Sequence, residues 1–123
     1  MAAVDLETIV RALDLKVFSG FDQLKTEVLD GYTGDLLSDV MANSKEGDIW
    51  MTRQVHQNII AVASLKDHAG IIMVHGAQPA KDTLEKALKE NIPLMGTDMS
   101  GFEIAGRIFN ILKDKKDIAV ADP

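Results

Sequence analysis

The chain has 123 residues, of which 46% are hydrophobic, a net charge of −6 and no cysteine. This length predicts one domain with its own core, and the missing cysteines exclude disulfides, thiolate metal sites and a cysteine nucleophile. The acidic balance argues against nucleic-acid binding, no apolar run is long enough to span a membrane, and the N-terminus lacks the pattern of a signal peptide. We therefore expect a cytoplasmic protein.

The first third of the chain predicts a helix followed by irregular structure. Asp5 is placed to cap a helix whose apolar residues recur at helical spacing over 6–13. Short strands are predicted over 16–18 and 26–29. Gly31 and Gly34 then predict a tight loop with unusual backbone angles, and Asp35 is placed to cap a helix over 36–43. The inward-facing residues predicted for this helix are Leu36, Leu37, Val40 and Met41.

The segment 48–76 predicts a strand, a helix and a second strand. Ile49, Trp50 and Met51 form a short apolar run, and a longer apolar segment over 59–65 precedes a second β-rich run over 71–74. Two buried runs joined by a helix-length segment indicate a parallel β-α-β unit with a right-handed crossover.

The last third repeats this alternation. Pro79 suits the start of a helix, a third buried strand is predicted over 93–95, and Ser100 with Glu103 predicts a capping box. The final helix carries an apolar face of Phe102, Ala105, Ile108, Phe109 and Leu112. This face could serve a dimer or a partner protein, but we expect it to be buried against the sheet. Residues 113–123 are expected to be a tail beyond a single domain of residues 1–112. The whole pattern predicts an α/β sandwich with a mainly parallel sheet.

Polar residues follow three successive buried strands and predict a binding edge, because ligands of open α/β sheets sit where parallel strands end. The loop between Gly31 and Gly34 could add backbone amides for an anion, although a plain turn explains its glycines as well. The candidate ligand-binding residues are Thr52, Arg53, Gln54, His75, Gly76, Thr97 and Asp98, with Gly31, Thr33 and Gly34 nearby.

Each residue with a possible chemical role also has a simpler structural explanation. Arg53 could bind an anion or pair with Asp48, and His75 could contact a ligand or be an ordinary polar residue at the sheet edge. His68 is expected to be a solvated loop residue. The three histidines lack metal-site spacing, so neither a metal nor a cofactor is predicted.

The order of several motifs resembles the DRTGG domain family across nearly the whole chain, from about residue 6 to 112. These motifs are 31–38, Glu46-Gly47-Asp48, 69–72, 92–94, Thr97-Asp98 and 102–105. The resemblance implies an α/β fold similar to the N-terminal domain of HPr kinase/phosphorylase, arranged like a three-layer sandwich. It also implies a non-catalytic regulatory or ligand-sensing role and dimerisation.

The sequence departs from the name-giving motif of this family. Arg53 matches the arginine, but Thr52 stands where aspartate is expected, and His75-Gly76-Ala77 stands where Thr-Gly-Gly is expected. The match is closer to the stand-alone members of the family, which are associated with bacterial or archaeal gene clusters for redox or hydrogenase functions.

Three functional hypotheses follow from these observations. The first is a homodimeric, non-enzymatic domain that binds a small anionic or nucleotide-like molecule at the predicted edge. The second is an adaptor that binds another protein and has no small ligand. The third is an enzyme that uses His75 and Asp98 as acid and base, although no nucleophile, metal cluster or cofactor loop accompanies them.

Overall fold

The structure is a computed structural model that describes residues 3–121, with the side chains of residues 3–114. Its strands are β1 (Lys16–Ser19), β2 (Asp30–Thr33), β3 (Asp48–Thr52), β4 (Gly70–Met73) and β5 (Leu94–Gly96). Its helices are α1 (Leu6–Leu13), α2 (Leu37–Asn43), α3 (Asn58–Lys66), α4 (Lys81–Glu90) and α5 (Gly101–Ala121), and a short 3-10 turn spans Phe21–Gln23.

The five strands form one sheet in the order β1-β5-β4-β3-β2. Strands β2 to β5 are parallel, and only β1 runs antiparallel, with Lys16 opposite Gly96. The predicted α/β class with a mainly parallel sheet is therefore confirmed. The N-terminal third joins this sheet, because it supplies both edge strands.

Helices cover both faces of the sheet, since alternate residues of each strand point to opposite sides. In β3, Ile49 and Met51 pack with α1 and α5, whereas Trp50 packs with α2, α3 and α4. The same division separates Ile72 from Ile71 in β4. The result is a three-layer sandwich whose two cores share the sheet.

The strand predicted over 26–29 was wrong, and so was the loop predicted between Gly31 and Gly34. Residue Glu27 makes only an isolated bridge to Asp5, whereas the regular strand is Asp30–Thr33, in which Gly31 pairs with Ile49. This edge strand has no buried residue, so its sequence carries neither the alternation nor the apolar run typical of strands.

The predicted start of α2 was wrong, and its predicted inner face was confirmed for Val40 but wrong for Leu36 and Met41. The residue before the helix is Leu36, which makes no side-chain cap, and Asp35 is engaged elsewhere. Leu36 is 69% exposed and Met41 is 38% exposed, so Val40 alone is buried in this helix. The short helix lies at the edge of the sheet and covers little of it.

The prediction that His68 is solvated was wrong as well. His68 is 8% exposed, its Nε2 lies 2.8 Å from the Ser44 hydroxyl, and its ring meets Trp50 edge-on. Asp67 is the residue that turns the chain, with a left-handed backbone at the end of α3. The histidine therefore folds back under the sheet while its neighbour remains in solvent.

Helix α5 extends past Leu112, where the sequence analysis ended it, to Ala121. Among its residues 101–114, Ile104, Ile108 and Leu112 are buried, whereas Phe102 and Phe109 point to solvent. The division into a domain of residues 1–112 and a tail of residues 113–123 stays a prediction.

Candidate functional site

Loops from four parallel strands meet at the carboxyl edge of the sheet. The Val74 amide donates to the Thr52 carbonyl at 3.1 Å, and the Gly76 amide donates to the Thr97 carbonyl at 2.8 Å. These bonds join the loops after β3, β4 and β5 in the order of the strands. The predicted residues are thus brought to one edge, but they separate into groups with different surroundings.

The first group surrounds Asp35. One carboxylate oxygen of Asp35 accepts from the Thr52 hydroxyl at 2.9 Å and from the Arg53 amide at 2.7 Å. The Gln54 side chain donates to the Asp35 carbonyl at 3.0 Å. Thr52 and Gln54 therefore hold the loop between β2 and α2 through Asp35. Asp35 was predicted only as the cap of a helix.

The guanidinium of Arg53 is exposed and has no hydrogen bond or ion pair to any residue of the described part. The alternative pairing of Arg53 with Asp48 is not found, since the two residues lie at opposite ends of β3. Asp48 is 1% exposed and accepts from the Lys45 amide at 2.8 Å. The Arg53 guanidinium is therefore available to solvent at this edge.

The second group forms the turn after β4. His75 and Gly76 have φ angles of 59° and 69°, and the His75 amide donates to the Met99 carbonyl at 2.9 Å. A Cβ atom on Gly76 would lie 3.0 Å from a carboxylate oxygen of Asp98. The glycine thus lets Asp98 lie against the turn, while the His75 side chain faces solvent.

The third group lies in and after β2, where the expected anion loop does not form. The Gly31 amide bonds to the carboxylate of Asp30, and the Gly34 amide donates to the Met51 carbonyl at 3.2 Å. Two of the amides expected to bind an anion are thus already bonded within the chain. Thr33 is exposed at the end of the strand.

A cavity of about 300 Å³ opens at the carboxyl edge between β1, β4 and β5. It contains three of the predicted residues, Gly76, Thr97 and Asp98, but it excludes His75, Thr52, Arg53 and Gln54. Its lining is Leu13, Asp14, Lys16, Phe18, Gly76, Ala77, Gln78, Gly96, Thr97, Asp98 and Met99.

The part of this cavity that β1 supplies was not predicted from the sequence. Because β1 is antiparallel to β5, its first residue Lys16 lies opposite Gly96, at the carboxyl end of β5. Local sequence patterns do not reveal such a pairing between distant strands. The only signal was the short strand predicted over 16–18, whose partner was unknown.

The cavity carries groups of both signs. The Lys16 ammonium lies 4.9 Å from the centre of the Phe18 ring, a cation–π contact. The carboxylates of Asp14 and Asp98 and the polar side chains of Thr97 and Gln78 also line it. This arrangement can orient a polar ligand by hydrogen bonds. In the described part of the chain, no three His, Asp or Glu residues are grouped to hold a metal ion.

A second feature is the α5 surface, which we define as Phe102, Ala105, Gly106 and Phe109. It lines a shallow, mostly apolar groove with Thr33 at the end of β2. Phe102 is 93% exposed and Phe109 is 64% exposed. Both aromatic residues belong to the predicted apolar face of the helix, but they were expected to be buried against the sheet.

No family model matches this sequence, and no curated protein matches it. A solved structure does match: the CBS and DRTGG domains of the regulatory region of Clostridium perfringens pyrophosphatase, complexed with the activator diadenosine tetraphosphate. The TM-score is 0.66 at 19% identity, over 82% of this chain and 44% of that chain. The fold is DRTGG-like. This chain spans less than half of that structure, so the comparison extends to the DRTGG-like fold alone.

The described part of this DRTGG-like chain contains no helix that is long and apolar enough to cross a bilayer.

Proposed function

We propose that this chain is a non-catalytic regulatory domain that binds a small anionic or nucleotide-like molecule at the carboxyl edge of its sheet. The observation that carries the proposal is the cavity of about 300 Å³, which combines backbone turns, charged groups and the Phe18 ring. Cavities at this edge are the usual ligand sites of open α/β sheets. The proposal is for a cytoplasmic protein, supported by a sequence without cysteine.

The charges of the cavity restrict the ligand further. Lys16 is the cation of the lining and suits a phosphate or carboxylate, whereas Asp14 and Asp98 suit hydroxyl or amino donors. A nucleotide carries both kinds of group. The volume lies at the lower end of the range for ligand pockets, about 300–1,000 Å³, which favours a mononucleotide over a dinucleotide.

A thermal-shift screen of nucleotides, phosphorylated metabolites and simple anions tests the proposal. A ligand at a hundred times its Kd adds about 2.7 kcal/mol, which raises the Tm on the order of 10 °C for a domain of this size. Diadenosine tetraphosphate, the activator in the pyrophosphatase complex, belongs in the screen. A screen without any saturable shift would contradict the proposal.

A pair of double variants locates the site. Lys16→Ala with Thr97→Val alters the cavity, whereas Arg53→Ala with His75→Ala alters exposed side chains of the same edge outside it. We expect the first pair to abolish the ligand-induced shift and the second to retain it. The opposite result would move the site to the loops after β3 and β4.

We also propose that the chain forms a homodimer. The support is the exposed α5 surface, because two large aromatic side chains on one helix face are typical of an interface. Analytical ultracentrifugation at micromolar concentration should show a dimer, and a monomer there would contradict this proposal.

A second candidate function is a protein-binding adaptor without a small ligand, and the same surface favours it. The thermal-shift screen distinguishes the two functions, because an adaptor should show no saturable shift with any small ligand. Its α5 surface should instead bind a different protein.

A further inference from the structure

We propose that two copies of this chain pair antiparallel through α5, about a two-fold axis that passes between Ala105 and Gly106. The inference rests on the homodimer proposed above and adds its surface and its orientation.

Helix α5 has apolar residues on two sides, and one of these sides is exposed in the single chain. Ile104, Ile108 and Leu112 are buried in the core, with exposures of 8% or less. Phe102 and Phe109 are two helical turns apart, so they lie on the same side, which faces solvent. A helix with a second apolar side needs a second partner to cover it.

No contact in the described part of the chain requires a glycine at position 106. It lies inside the helix, its backbone is not left-handed, and a Cβ atom there would meet nothing within 4 Å. Glycine inside a helix lowers its stability relative to alanine. Small residues at a helix crossing allow a close approach of the two axes, and this requirement accounts for Gly106 next to Ala105 between the two aromatic rings.

The spacing of the α5 surface makes it complementary to a second copy of itself. The point halfway between Phe102 and Phe109 falls between Ala105 and Gly106. A two-fold axis at this point sets each Phe102 opposite Phe109 of the partner subunit, so the interface contains two equivalent pairs. It also brings Ala105 and Gly106 of both chains together where the helices cross. Such a symmetric interface uses the same patch on both subunits.

The charges beside this surface favour the antiparallel orientation. Glu103 and Arg107, joined at 2.9 Å, lie on either side of Ala105, so each Glu103 comes within about one residue of the level of Arg107 of the partner subunit. A parallel pair would set like charges level with each other and align the helix dipoles.

The substitution Gly106→Gln separates an interface from a structural role. Glutamine favours the helix and has open space in the single chain, so the unfolding midpoint of the monomer should rise or stay unchanged. The dimer should weaken, with Kd raised about 30-fold or more, the scale of an interface hot spot. An unchanged Kd overturns the inference.

Removal of the aromatic rings provides a second test with a matched control. Phe102→Asp with Phe109→Asp should raise the Kd about 30-fold or more, whereas Phe21→Asp should leave it unchanged. Phe21 is 62% exposed but belongs to the turn after β1. If the wild type is a dimer and the α5 variants do not change its Kd, this inference fails and the homodimer proposal stands. If the wild type is a monomer, both proposals fail.

Cysteine cross-linking tests the orientation, because the chain has no cysteine of its own. A mixture of the Phe102→Cys and Phe109→Cys proteins should form a mixed disulfide and keep one pair of facing phenylalanines. Each protein alone should form little disulfide. Efficient self-linking of Phe102→Cys would indicate a parallel pair and overturn the antiparallel arrangement.

Discussion

Asp35 is the residue on which the arrangement of the loops after β2 and β3 depends. Its carboxylate accepts from the Thr52 hydroxyl and the Arg53 amide, so Asp35→Ala removes the acceptor of both donors. We expect a loss of about 1–3 kcal/mol in the free energy of unfolding, measured by urea denaturation. Asp22→Ala is the control, because Asp22 is exposed in the turn after β1. Equal stability of the two variants would contradict the role of Asp35.

We expect His68 to make the stability of the protein depend on pH. The Ser44 hydroxyl donates to the Val40 carbonyl at 2.6 Å, so its oxygen accepts from Nε2–H of a neutral His68. Burial lowers the pKa of His68, and the Asp48 carboxylate opposes this effect in part. Because the folded state resists protonation more than the unfolded chain does, stability is lost as the pH falls below about 6.5.

The test compares urea denaturation at about pH 7.5 and about pH 5.5, a range in which histidine titrates before most carboxylates. His68→Gln should reduce the loss of stability between these two values. His56→Gln alters an exposed histidine and should leave the loss as it is in wild type. If His68→Gln loses as much stability between the two pH values as the wild type does, groups other than His68 cause the loss.

At the scale of elements, the turn between β1 and the 3-10 segment depends on a glycine. Gly20 has φ of +76°, and a Cβ atom there would lie 2.5 Å from the Cα atom of Pro93. Gly20→Ala should therefore destabilise the protein by about 2–4 kcal/mol, measured by its denaturant midpoint, because both the backbone angle and the contact oppose the methyl group. Gly101→Ala, where nothing lies within 4 Å, should leave stability unchanged or slightly higher.

The elements that the sequence predicted correctly are those whose pattern is local. Strands β3, β4 and β5 are buried along their whole length, and their apolar runs stand out against polar turns. Strand β2 was missed because it lies at an edge and contains Gly31, whose pairing with Ile49 is fixed by the neighbouring strand. The exposed aromatic residues of α5 were misplaced because a helix with two apolar sides does not reveal which one is buried.

At the scale of the whole molecule, the sequence alone could place three of the cavity's lining residues at the carboxyl edge of the sheet. Gly76, Thr97 and Asp98 follow parallel strands, and the general geometry of α/β sheets brings such residues together. Lys16 reaches the cavity through the antiparallel pairing of β1 with β5, which joins residues far apart in the sequence. Thr52 and Arg53 are separated from the cavity because they bond to Asp35. Such contacts depend on the completed fold and cannot be predicted from local sequence.

Association of two chains should be visible in the unfolding of the whole molecule. When a dimer unfolds to two separate chains, its stability depends on protein concentration, and a hundredfold increase adds about 2.7 kcal/mol per dimer. The Tm of the wild type, measured by calorimetry from about 1 to about 100 µM, should therefore rise by several degrees. The double variant Phe102→Asp and Phe109→Asp should show a Tm independent of concentration, whereas Phe21→Asp should behave as wild type. A wild-type Tm that does not change with concentration would mean that the folded chain is stable alone and that its α5 surface is free for a different protein.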